Sequence, residues 1–535
     1  MSNKWIQNSL KIFYYLKRVG VKGAAERLGR SLRPKHIEYT QWIKKYGIEK
    51  RKKTWDLKQI AETKPDMDLI ILCDVHKDSN MYASIKDQLF SPQNIYKDIN
   101  QISNEYVVLI ADDVELEQDA LWHFHLATKE HPEADLFYPD HDVKGTEHVF
   151  KPDFNYDLLL SYNYIGNVVV MRRQCLQDIM AKSDIGSTTI YEMILRAIES
   201  GRKISHIPIV LYHKADNNLV DDGKTGRKIV EDHLKRMGYN VDVRNGRAAD
   251  TQRVIYLPMD EPLVSILIPN KDHVDDLKKC LQSIEKQSYK NYEVIIIENN
   301  SQEKRTFDYY KELVSYKDSI RILYWRNNFN YSLINNFAAE EAKGDYYLLL
   351  NNDIEFKNPD AIRDMLGICM RRDVGIVGAK LYYPDETIQH AGVILGYGGI
   401  AGHAFLGCSG IDSGYMNRID CCQNFSAVTA ACMMVRQEVF HEVSGFDGEL
   451  QVAFNDVDFC LRVLHQGYRI VYTPYAEAWH YESKTRGNED NYKKIKRFNQ
   501  EVDLLRSRWQ DMIRQGDPAY NPNLSLYKWD FSLKQ

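Results

Sequence analysis

The chain has 535 residues, of which 44% are hydrophobic and 27% are charged. This length predicts two large folded units with additional terminal segments, and the composition excludes a disordered or fibrous protein. The net charge of −5 hides an uneven distribution: residues 1–60 carry 16 Lys and Arg against four Asp and Glu, a net charge of +12, and the remainder carries −17.

The basic segment begins with an amphipathic pattern over residues 4–19. Its apolar side chains fall within one stripe of a helix and its basic side chains line the other side. The stripe consists of Trp5, Ile6, Leu10, Ile12, Phe13 and Leu16. With the cluster Lys50–Lys53, the pattern predicts that residues 1–60 form a basic amphipathic helical arm that contacts an anionic membrane surface. The alternative is a helix that packs on the body with its lysines in solvent.

Several classes of partner and location are disfavoured by the sequence. No nucleic-acid motif with interleaved aromatic residues is present, and no apolar run reaches the roughly 18 residues of a membrane span. Lys11, Lys17 and Arg18 interrupt the apolar stretch that a signal peptide would need. The nine cysteines are scattered without metal-ligand spacing, which is typical of free thiols in a reducing compartment. We expect a cytoplasmic protein, peripheral to the inner face of the cell membrane.

From residue 263 onward, short apolar strands alternate with helices. The predicted elements are strand Leu263–Pro269, helix Val274–Gln287, strand Tyr292–Ile297, strand Arg321–Trp325, helix Ser332–Ala342 and strand Tyr346–Leu350. This alternation is typical of an α/β fold with a mostly parallel sheet flanked by helices. Polar residues stand at the predicted strand ends, namely Asn270, Glu298, Asn327 and Asp353. Ligands of such sheets bind beyond the carboxyl ends of the strands, so these residues predict a binding site.

The earlier part of the chain repeats this pattern. The strand Tyr106–Ile110, followed by Asp112 and Asp113, parallels the strand Tyr346–Leu350, followed by Asn351-Asn352-Asp353. Each copy also has a histidine near its end, His213 in the first and His480 in the second. Two divergent copies of one domain explain the similarity, with a boundary near Pro258–Pro262. The predicted organisation is a basic arm over residues 1–60, a degenerate copy over 66–257, a catalytic copy over 263–487, and a C-terminal helix and tail over 488–535.

Three residues of the second copy can carry chemistry. Asp353 follows a buried strand, where its carboxylate could hold a hard cation. Asp456 lies at the predicted N-terminus of a helix, whose dipole keeps a carboxylate ionised as a general base requires. His480 precedes a loop in which Lys484 and Arg486 could hold phosphate. Each residue also has a structural interpretation, as a turn residue, a helix cap or a buried histidine, but their combination on one strand-end face favours function.

A glycine-rich stretch, Gly396–Gly402, has the composition of a dinucleotide-binding motif but not its context. No βαβ unit with an acidic residue about 20 positions onward surrounds it. The sequence instead predicts a flexible loop that covers the substrate, with a plain surface turn as the alternative.

Residues 263–487 resemble a family 2 glycosyltransferase with the GT-A fold. The similarity lies in Val264–Asn270, Glu298–Ser301, Leu350–Asp353, Ala430–Phe446, Phe454–Arg462 and His480–Gly487. Asp517–Leu524 also resembles the tail of members that assemble polysaccharides. The resemblance implies that a sugar moves from a nucleotide diphosphate donor to an acceptor with inversion.

The resemblance also implies roles for individual residues. Asp353 matches the last acid of the family's DxD motif, which binds Mg²⁺ or Mn²⁺, with Asn351 in place of the first acid. Asp456 matches the catalytic base that deprotonates the acceptor hydroxyl, and Asp458 beside it orients the substrate or the helix. His480 matches the histidine that completes the metal or diphosphate site.

A nucleotide-sugar site is implied in the same way. Asn270 and Glu298 match positions that contact the nucleotide base and ribose, and Asn336 lies on the helix that faces the diphosphate. The full predicted set is Pro269, Asn270, Glu298, Asn300, Asn327, Asn336, Asn352, Lys484 and Arg486.

The first copy resembles the family through residues 66–213 but lacks the base. Counted from Arg196, Ile190 stands where the second copy has Asp456, although Asp112 and Asp113 retain an acidic turn. We expect this copy to hold the acceptor glycan or to pack on the second copy without catalysing. The alternative is a second active transferase that uses another base such as Glu192.

The predicted protein is therefore a metal-dependent inverting glycosyltransferase that adds a sugar, with rhamnose as a candidate, to a growing lipid-linked surface glycan. An inactive carbohydrate-binding scaffold is an alternative that the retained Asp353, Asp456 and His480 disfavour. A nucleotidyltransferase would place a glycine-rich basic loop after the first strand, where Pro269–Asp272 stands. A processive membrane synthase would have spanning helices and a QxxRW motif, which Leu505 breaks.

Overall fold

The chain folds into two α/β units. The computed structural model describes residues 37–64, 66–73, 79–90, 92, 94–96, 99–181, 189–215, 224–316, 318–481 and 492–535. Unit A consists of His36–Val254 with the short segments Pro518–Ser525 and Ser532–Gln535. Unit B consists of Ile255–Asp517 with the segment Leu526–Phe531. Both units therefore include parts of the C-terminal tail.

Unit A begins with short helices and continues as alternating strands and helices. Its described helices are α1 (Tyr39–Tyr46), α2 (Ile48–Arg51), α3 (Leu57–Glu62), α4 (Asn80–Lys86), α5 (Ala120–Glu130), α6 (Tyr156–Ser161), α7 (Arg173–Met180), α8 (Ile190–Glu199) and α9 (Lys224–Arg236). Its described strands are β1 (Met67–Ile71), β2 (Ile95–Tyr96), β3 (Tyr106–Ile110), β4 (Val114–Leu116), β5 (Leu136–Val143), β6 (Glu147–Val149), β7 (Val168–Arg172), β8 (Ile204–Lys214), β9 (Val241–Asn245) and β10 (Gln252–Tyr256), the last of which leads into unit B.

Unit B has the same kind of element sequence. Its described helices are α10 (Val274–Glu285), α11 (Lys304–Tyr316), α12 (Tyr331–Glu341), α13 (Ala361–Cys369), α14 (Gln437–Glu442), α15 (Asn455–His465) and α16 (Tyr492–Gln515). Its described strands are β11 (Val264–Asn270), β12 (Tyr292–Glu298), β13 (Ile320–Tyr324), β14 (Tyr346–Leu350), β15 (Ile354–Phe356), β16 (Val374–Tyr382), β17 (Ile388–His390), β18 (Val393–Leu395), β19 (Ala401–His403), β20 (Gln423–Asn424), β21 (Cys432–Arg436) and β22 (Arg469–His480).

The main sheets of the two units share one strand order. In unit A the order is β2-β1-β3-β7-β5-β8-β4, and in unit B it is β13-β12-β11-β14-β21-β16-β22-β15, which adds the edge strand β13. Strand directions agree as well: β1–β3 and β11–β14 are parallel, whereas β3–β7 and β14–β21 are antiparallel. The predicted α/β fold class is confirmed, and the shared order is what two copies of one domain would give.

Strand registers identify equivalent positions in the two units. Val114 pairs with Lys214 across β4 and β8, and Ile354 pairs with His480 across β15 and β22. Lys214 therefore occupies the position of His480, and the sequence match of His213 with His480 is wrong by one residue. Because successive side chains of a strand point to opposite faces, this single residue changes which side chain faces the acidic turn.

The parallel strands that open unit B explain the position of its polar residues. Ile266, Leu267 and Ile268 of β11 are consecutive and fully buried, so both faces of this strand are covered. The carboxyl ends of β11, β12 and β14 lie at one edge of the sheet because the three strands are parallel. Asn270 and Glu298 end β11 and β12, and Asn300, Asn352 and Asp353 lie in the turns after β12 and β14, so these predicted site residues share one edge of the sheet.

Residues 37–60, which the sequence assigns to the basic arm, are part of unit A. Tyr39 and Trp42 are buried, and the Tyr39 hydroxyl donates to Asp142 Oδ2 at 2.8 Å. Arg51, from the predicted membrane cluster, forms a bidentate ion pair with Asp119 at 2.7 and 2.8 Å. Burial alone would raise the pKa of Asp119, but the bonds to Arg51 and His123 outweigh it and hold that pKa well below its usual value.

The membrane interpretation of the arm depends on a part of the chain that is not described. The amphipathic pattern over residues 4–19 lies outside the described residues. Within the described ranges, no helix combines the length and the apolar character that crossing a bilayer requires. Arg51 is already paired inside unit A, and Lys52 Nζ lies 2.6 Å from Glu49 Oε1, so the predicted basic cluster is partly neutralised.

Candidate active site

A chain of hydrogen bonds joins the carboxyl ends of β11, β12 and β14. Asn352 Nδ2 donates to Asn270 Oδ1 at 2.6 Å, and Asn270 Nδ2 donates to the Tyr310 hydroxyl at 2.7 Å. The Tyr310 hydroxyl donates to Glu298 Oε2 at 2.8 Å. Burial, reinforced by the charge of Glu298, raises the pKa of Tyr310, so this hydroxyl stays protonated as the donor. Three predicted residues therefore lie together, and Tyr310 of α11 is a member that the sequence analysis missed.

Glu298 organises the turn after β12. Its Oε1 accepts from Ser301 N at 2.5 Å and its Oε2 accepts from Ser301 Oγ at 2.6 Å. Asn300 adopts the left-handed conformation with φ 58° and donates from Nδ2 to Asn327 O at 2.9 Å. Asn327 thus contributes its backbone carbonyl to this turn. Pro269, which precedes Asn270 on β11, is partly exposed at the same edge.

Asp353 and His480 face each other at the next part of this edge. The pairing of Ile354 with His480 fixes the relation, because Asp353 immediately precedes the paired residue. Asp353 Oδ1 lies 3.3 Å from His480 Nε2, and the two side chains are 10% and 7% exposed. Asn351 Nδ2 also lies 3.3 Å from His480 Nε2. A carboxylate, an imidazole and an amide therefore meet around one point.

This set of side chains fits a divalent cation that is held only partly by protein. Carboxylate oxygen suits Mg²⁺ and Mn²⁺, and a site with few protein ligands leaves room for diphosphate oxygens and water. Among the described residues, no group of three or more His, Cys, Asp or Glu side chains is arranged to hold a metal ion. With Asn351 in place of an acid, Asp353 and His480 are the two ionisable side chains at this point that could hold a cation.

Asp456 occupies the first turn of α15. Phe454, the N-cap of this helix two residues before Asp456, has a left-handed φ of 61°, a conformation that costs energy for a bulky residue and is concentrated at functional sites. Asp456 Oδ1 accepts from Val457 N at 2.9 Å, and Oδ2 accepts from Ala430 N at 3.3 Å. The side chain is half-buried, and each of its carboxylate oxygens accepts a hydrogen bond from a backbone amide.

The backbone of Ala430 and Ala431 lies between Asp456 and the turn that contains Asn351 and Asp353. Ala430 N contacts the Asp456 carboxylate, and Ala431 O accepts from Asn351 N at 2.9 Å. Ala430 and Ala431 directly precede β21, which pairs with β14 so that Cys432 stands opposite Leu350. The base candidate and the Asn351–Asp353 turn are therefore adjacent across this segment.

Asp458 has a different environment from Asp456. Its carboxylate is fully buried and accepts from Arg462 Nε at 2.8 Å, Arg508 Nη1 at 3.2 Å and Trp509 Nε1 at 2.9 Å. These bonds attach α16 to α15. Of the two roles predicted for Asp458, the orientation of the helix agrees with these contacts.

Asn336 is engaged away from the network. Its Nδ2 donates to Phe446 O at 2.8 Å and its Oδ1 accepts from Phe446 N at 2.9 Å. Gly445 allows this approach, because a Cβ there would lie 2.5 Å from Asn336 Oδ1. The amide of Asn336 thus holds the loop after α14. Lys484 and Arg486, the remaining predicted phosphate ligands, lie outside the described residues.

The glycine-rich loop is anchored rather than free. Gly398 N donates to Leu526 O at 3.2 Å, and Arg506 Nη2 donates to Gly399 O at 3.1 Å. Gly402 packs against the Trp529 indole so closely that a Cβ would lie 2.3 Å from the ring. Where the sequence predicts a flexible cover, the C-terminal segment Leu526–Phe531 holds the loop in place.

Part of unit B matches a known protein family. A family model described as glycosyl transferase family 2 matches residues 265–444. The predicted resemblance of residues 263–487 to this family is thereby confirmed.

Two curated relatives match a larger part of the chain. An uncharacterized protein of Sinorhizobium fredii, y4gI, is 39% identical over 448 residues, which is 80% of this chain and 49% of that protein. The O-antigen biosynthesis protein RfbC of Myxococcus xanthus is 33% identical over 449 residues, which is 81% of this chain and 34% of that protein. The chain spans about half the length of the first relative and about a third of the second. Among solved structures, mannosyltransferase PcManGT from Pyrobaculum calidifontis is 14% identical with a TM-score of 0.36, covering 50% of this chain and 68% of that one.

Proposed function

We propose that unit B transfers a sugar, with inversion, from a nucleotide diphosphate donor to a growing surface glycan. The arrangement of Asp456 is the observation that supports this most directly: a half-buried carboxylate at a helix N-terminus lies one short backbone segment from the Asn351–Asp353 turn. An inverting displacement needs a base for the acceptor hydroxyl and a cation beside the leaving diphosphate, and it needs no covalent nucleophile. The family 2 match supports the reaction class.

In this proposal each residue has a separate task. Asp456 accepts the proton of the acceptor hydroxyl, and the Ala430 amide, which donates to Oδ2, holds its carboxylate in place. Asp353 and His480 would hold Mg²⁺ or Mn²⁺, which when bound supplies positive charge for the diphosphate. Asn270 and Asn352, with the turn organised by Glu298, line the nucleotide side of the site.

Unit A is proposed to bind acceptor glycan without catalysis. Ile190 opens α8 where Asp456 lies in the first turn of α15, and an isoleucine cannot take a proton. Glu192, the alternative base, accepts from Arg196 Nε at 2.9 Å, the counterpart of the Asp458–Arg462 pair. Both units thus have the carboxylate–arginine pair within the helix, whereas only unit B has the aspartate that is the proposed base, Asp456.

The acceptor is proposed to be a lipid-linked glycan at the inner face of the cell membrane, with rhamnose as the candidate sugar. The relative named for O-antigen biosynthesis and the net charge of +12 over residues 1–60 support this location and acceptor class. Removal of residues 1–20 should then weaken binding to vesicles that contain phosphatidylglycerol, most at low salt. Equal binding of the full and shortened chains would contradict a membrane role for the arm.

The experiment that tests the proposed function is a panel of nucleotide sugars measured with Mg²⁺ and with Mn²⁺. We expect one donor to bind the wild type and Asp456→Asn equally in calorimetry, and its hydrolysis and transfer to be lost only in the variant. Turnover by Asp456→Asn at the wild-type rate would place the base elsewhere. If no donor binds with either metal, the carbohydrate-binding scaffold becomes the better interpretation of unit B.

A further inference from the structure

The two ring nitrogens of His480 have different neighbours. Nε2 faces Asp353 Oδ1 and Asn351 Nδ2, each at 3.3 Å, whereas Nδ1 lies 2.8 Å from Gln389 Nε2. Gln389 is the middle residue of β17 and His480 is the last residue of β22, and both strands pair with β16. Both residues are buried, so the sheet fixes their relation.

A neutral imidazole carries one proton, and its position decides which nitrogen can bind a cation. The nitrogen that binds the cation must be unprotonated, so the proton resides on the other nitrogen and needs an acceptor there. When a Gln389 N–H donates to Nδ1, the proton of a neutral ring lies on Nε2, where Asp353 Oδ1 can accept it; Asn351 Nδ2, also 3.3 Å from Nε2, can donate to that nitrogen only in the other tautomer. In that tautomer with the proton on Nε2, His480 Nε2 has no free lone pair for a cation.

A side-chain amide can serve both states of the ring. A half-turn of the Gln389 amide puts Oε1 where Nε2 lies, because the two groups are similar in size. Oε1 then accepts a proton from Nδ1, and the lone pair of His480 Nε2 is available beside Asp353. The ring releases the Nε2 proton to solvent and takes a proton from solvent at Nδ1, so neither its charge nor the total number of protons changes.

We propose that Gln389 is a positioning residue that selects the tautomer of His480 and thereby tunes cation binding at the Asp353–His480 pair. The inference rests on the proposed metal-dependent function of this pair. An ionised glutamate at position 389 has only hydrogen-bond acceptors, so it would keep the proton of His480 on Nδ1 and leave Nε2 available to a cation. Methionine has a similar shape but neither donates nor accepts as an amide does, so it would leave Nδ1 unsupported.

The test is the affinity for Mn²⁺ itself, measured without donor from the electron paramagnetic resonance signal of the free ion. We expect Gln389→Met to weaken Mn²⁺ binding by about 10- to 100-fold, the range typical for loss of a partner of a ligating histidine. Gln389→Glu should bind Mn²⁺ at least as tightly as the wild type. Gln287→Met is the matched control, because Gln287 is equally buried, with its amide bonded to Asn358 O and Ile362 N, and should leave Mn²⁺ affinity unchanged.

Two further variants separate failure of this inference from failure of the proposed function. If Asp353→Ala and His480→Ala abolish Mn²⁺ binding while Gln389→Met binds as the wild type does, the role of Gln389 is wrong and the metal site stands. If neither Asp353→Ala nor His480→Ala changes Mn²⁺ affinity, both the metal site and the role of Gln389 are overturned. If Gln389→Met and Gln389→Glu both weaken Mn²⁺ binding, the loss would indicate a packing effect and would also overturn the inference.

Discussion

Lys214 Nζ lies 3.3 Å from Asp112 Oδ2 in unit A, at the sheet position that His480 occupies beside Asp353 in unit B. An ammonium group has three donors and no acceptor, so it cannot ligate a metal as an imidazole does. It instead places a fixed positive charge beside the acidic turn. The two units thus have the same fold but place different groups beside this turn: an ammonium group in unit A and an imidazole in unit B.

The first prediction concerns where a divalent cation binds. We expect Asp353→Ala to weaken Mn²⁺ binding by at least about tenfold, because it removes a proposed ligand. Asp112→Ala should leave Mn²⁺ affinity unchanged, because Lys214 already neutralises that turn. Electron paramagnetic resonance of free Mn²⁺ measures both variants under the same conditions. A tenfold loss in Asp112→Ala would reveal a metal site in unit A.

The second prediction separates the two neighbouring aspartates of α15. Asp456→Asn should lower transfer by about 10²- to 10⁴-fold and leave the melting temperature nearly unchanged, since its carboxylate is half-buried and its removal costs catalysis alone. Asp458→Asn should instead destabilise unit B by about 3 kcal/mol, because Arg462 and Arg508 lose a fully buried counter-charge. Denaturant titration and transfer assays on both variants distinguish the roles. If Asp456→Asn and Asp458→Asn lost transfer equally and were equally stable, the assignment of a catalytic role to Asp456 and a structural role to Asp458 would be wrong.

The third prediction is a pH dependence of the stability of unit A. Burial lowers the pKa of His213, but Asp142 Oδ1 at 2.5 Å and Glu117 Oε1 at 3.2 Å outweigh it and raise that pKa from 6.5 to about 10. A raised folded pKa stabilises below the unfolded value, so this contribution is complete below pH 6.5 and is lost as the pH rises toward 10. Each pH unit within that window should cost up to about 1.4 kcal/mol.

The measurement is urea denaturation of the wild type and of His213→Gln between pH 6 and 9. The variant should be less stable at pH 6 and should lose less stability on going to pH 9, because glutamine does not titrate. His131→Gln is the matched control, since His131 is half-exposed beside Glu133. Parallel pH profiles for wild type and His213→Gln would mean that His213 is not the titrating group.

The sequence predicts the strands of unit B well because their burial is encoded locally. Tyr346–Leu350 agrees in both bounds with β14, and Leu263–Pro269 differs by one residue at each end from β11. These runs are apolar without alternation, which indicates a strand covered on both faces. The polar residues that follow them were therefore found from the sequence.

Contacts made across the fold were not predictable in this way. Tyr310 lies in a polar helix, and only tertiary packing brings its hydroxyl to Asn270 and Glu298. Gln389 carries no motif, and its contact with His480 arises from strand pairing through β16. The match of His213 with His480 failed because it compared residue types, whereas the register sets which side chain faces the turn.

The last prediction concerns the glycine at position 402. An alanine Cβ there would lie 2.3 Å from the Trp529 ring, so Gly402→Ala should displace the segment Leu526–Phe531 and destabilise unit B by about 1–3 kcal/mol. Limited proteolysis should then cut the C-terminal segment faster. Gly407→Ala is the matched control: Gly407 has a positive φ of 78° but no atom within 4 Å of an added Cβ, so it strains the loop without pushing on the indole.

A double variant tests the mechanism of this effect. In Trp529→Ala the indole is absent, so adding Gly402→Ala should cost little further stability, and the two changes should be strongly non-additive. The Gly407→Ala change should add its full cost to Trp529→Ala, because it acts on the backbone. Additive costs for Gly402→Ala and Trp529→Ala would show that the clash with the indole is not what excludes a side chain at 402. The loop would then owe its anchoring to the backbone bonds of Gly398 and Gly399 instead.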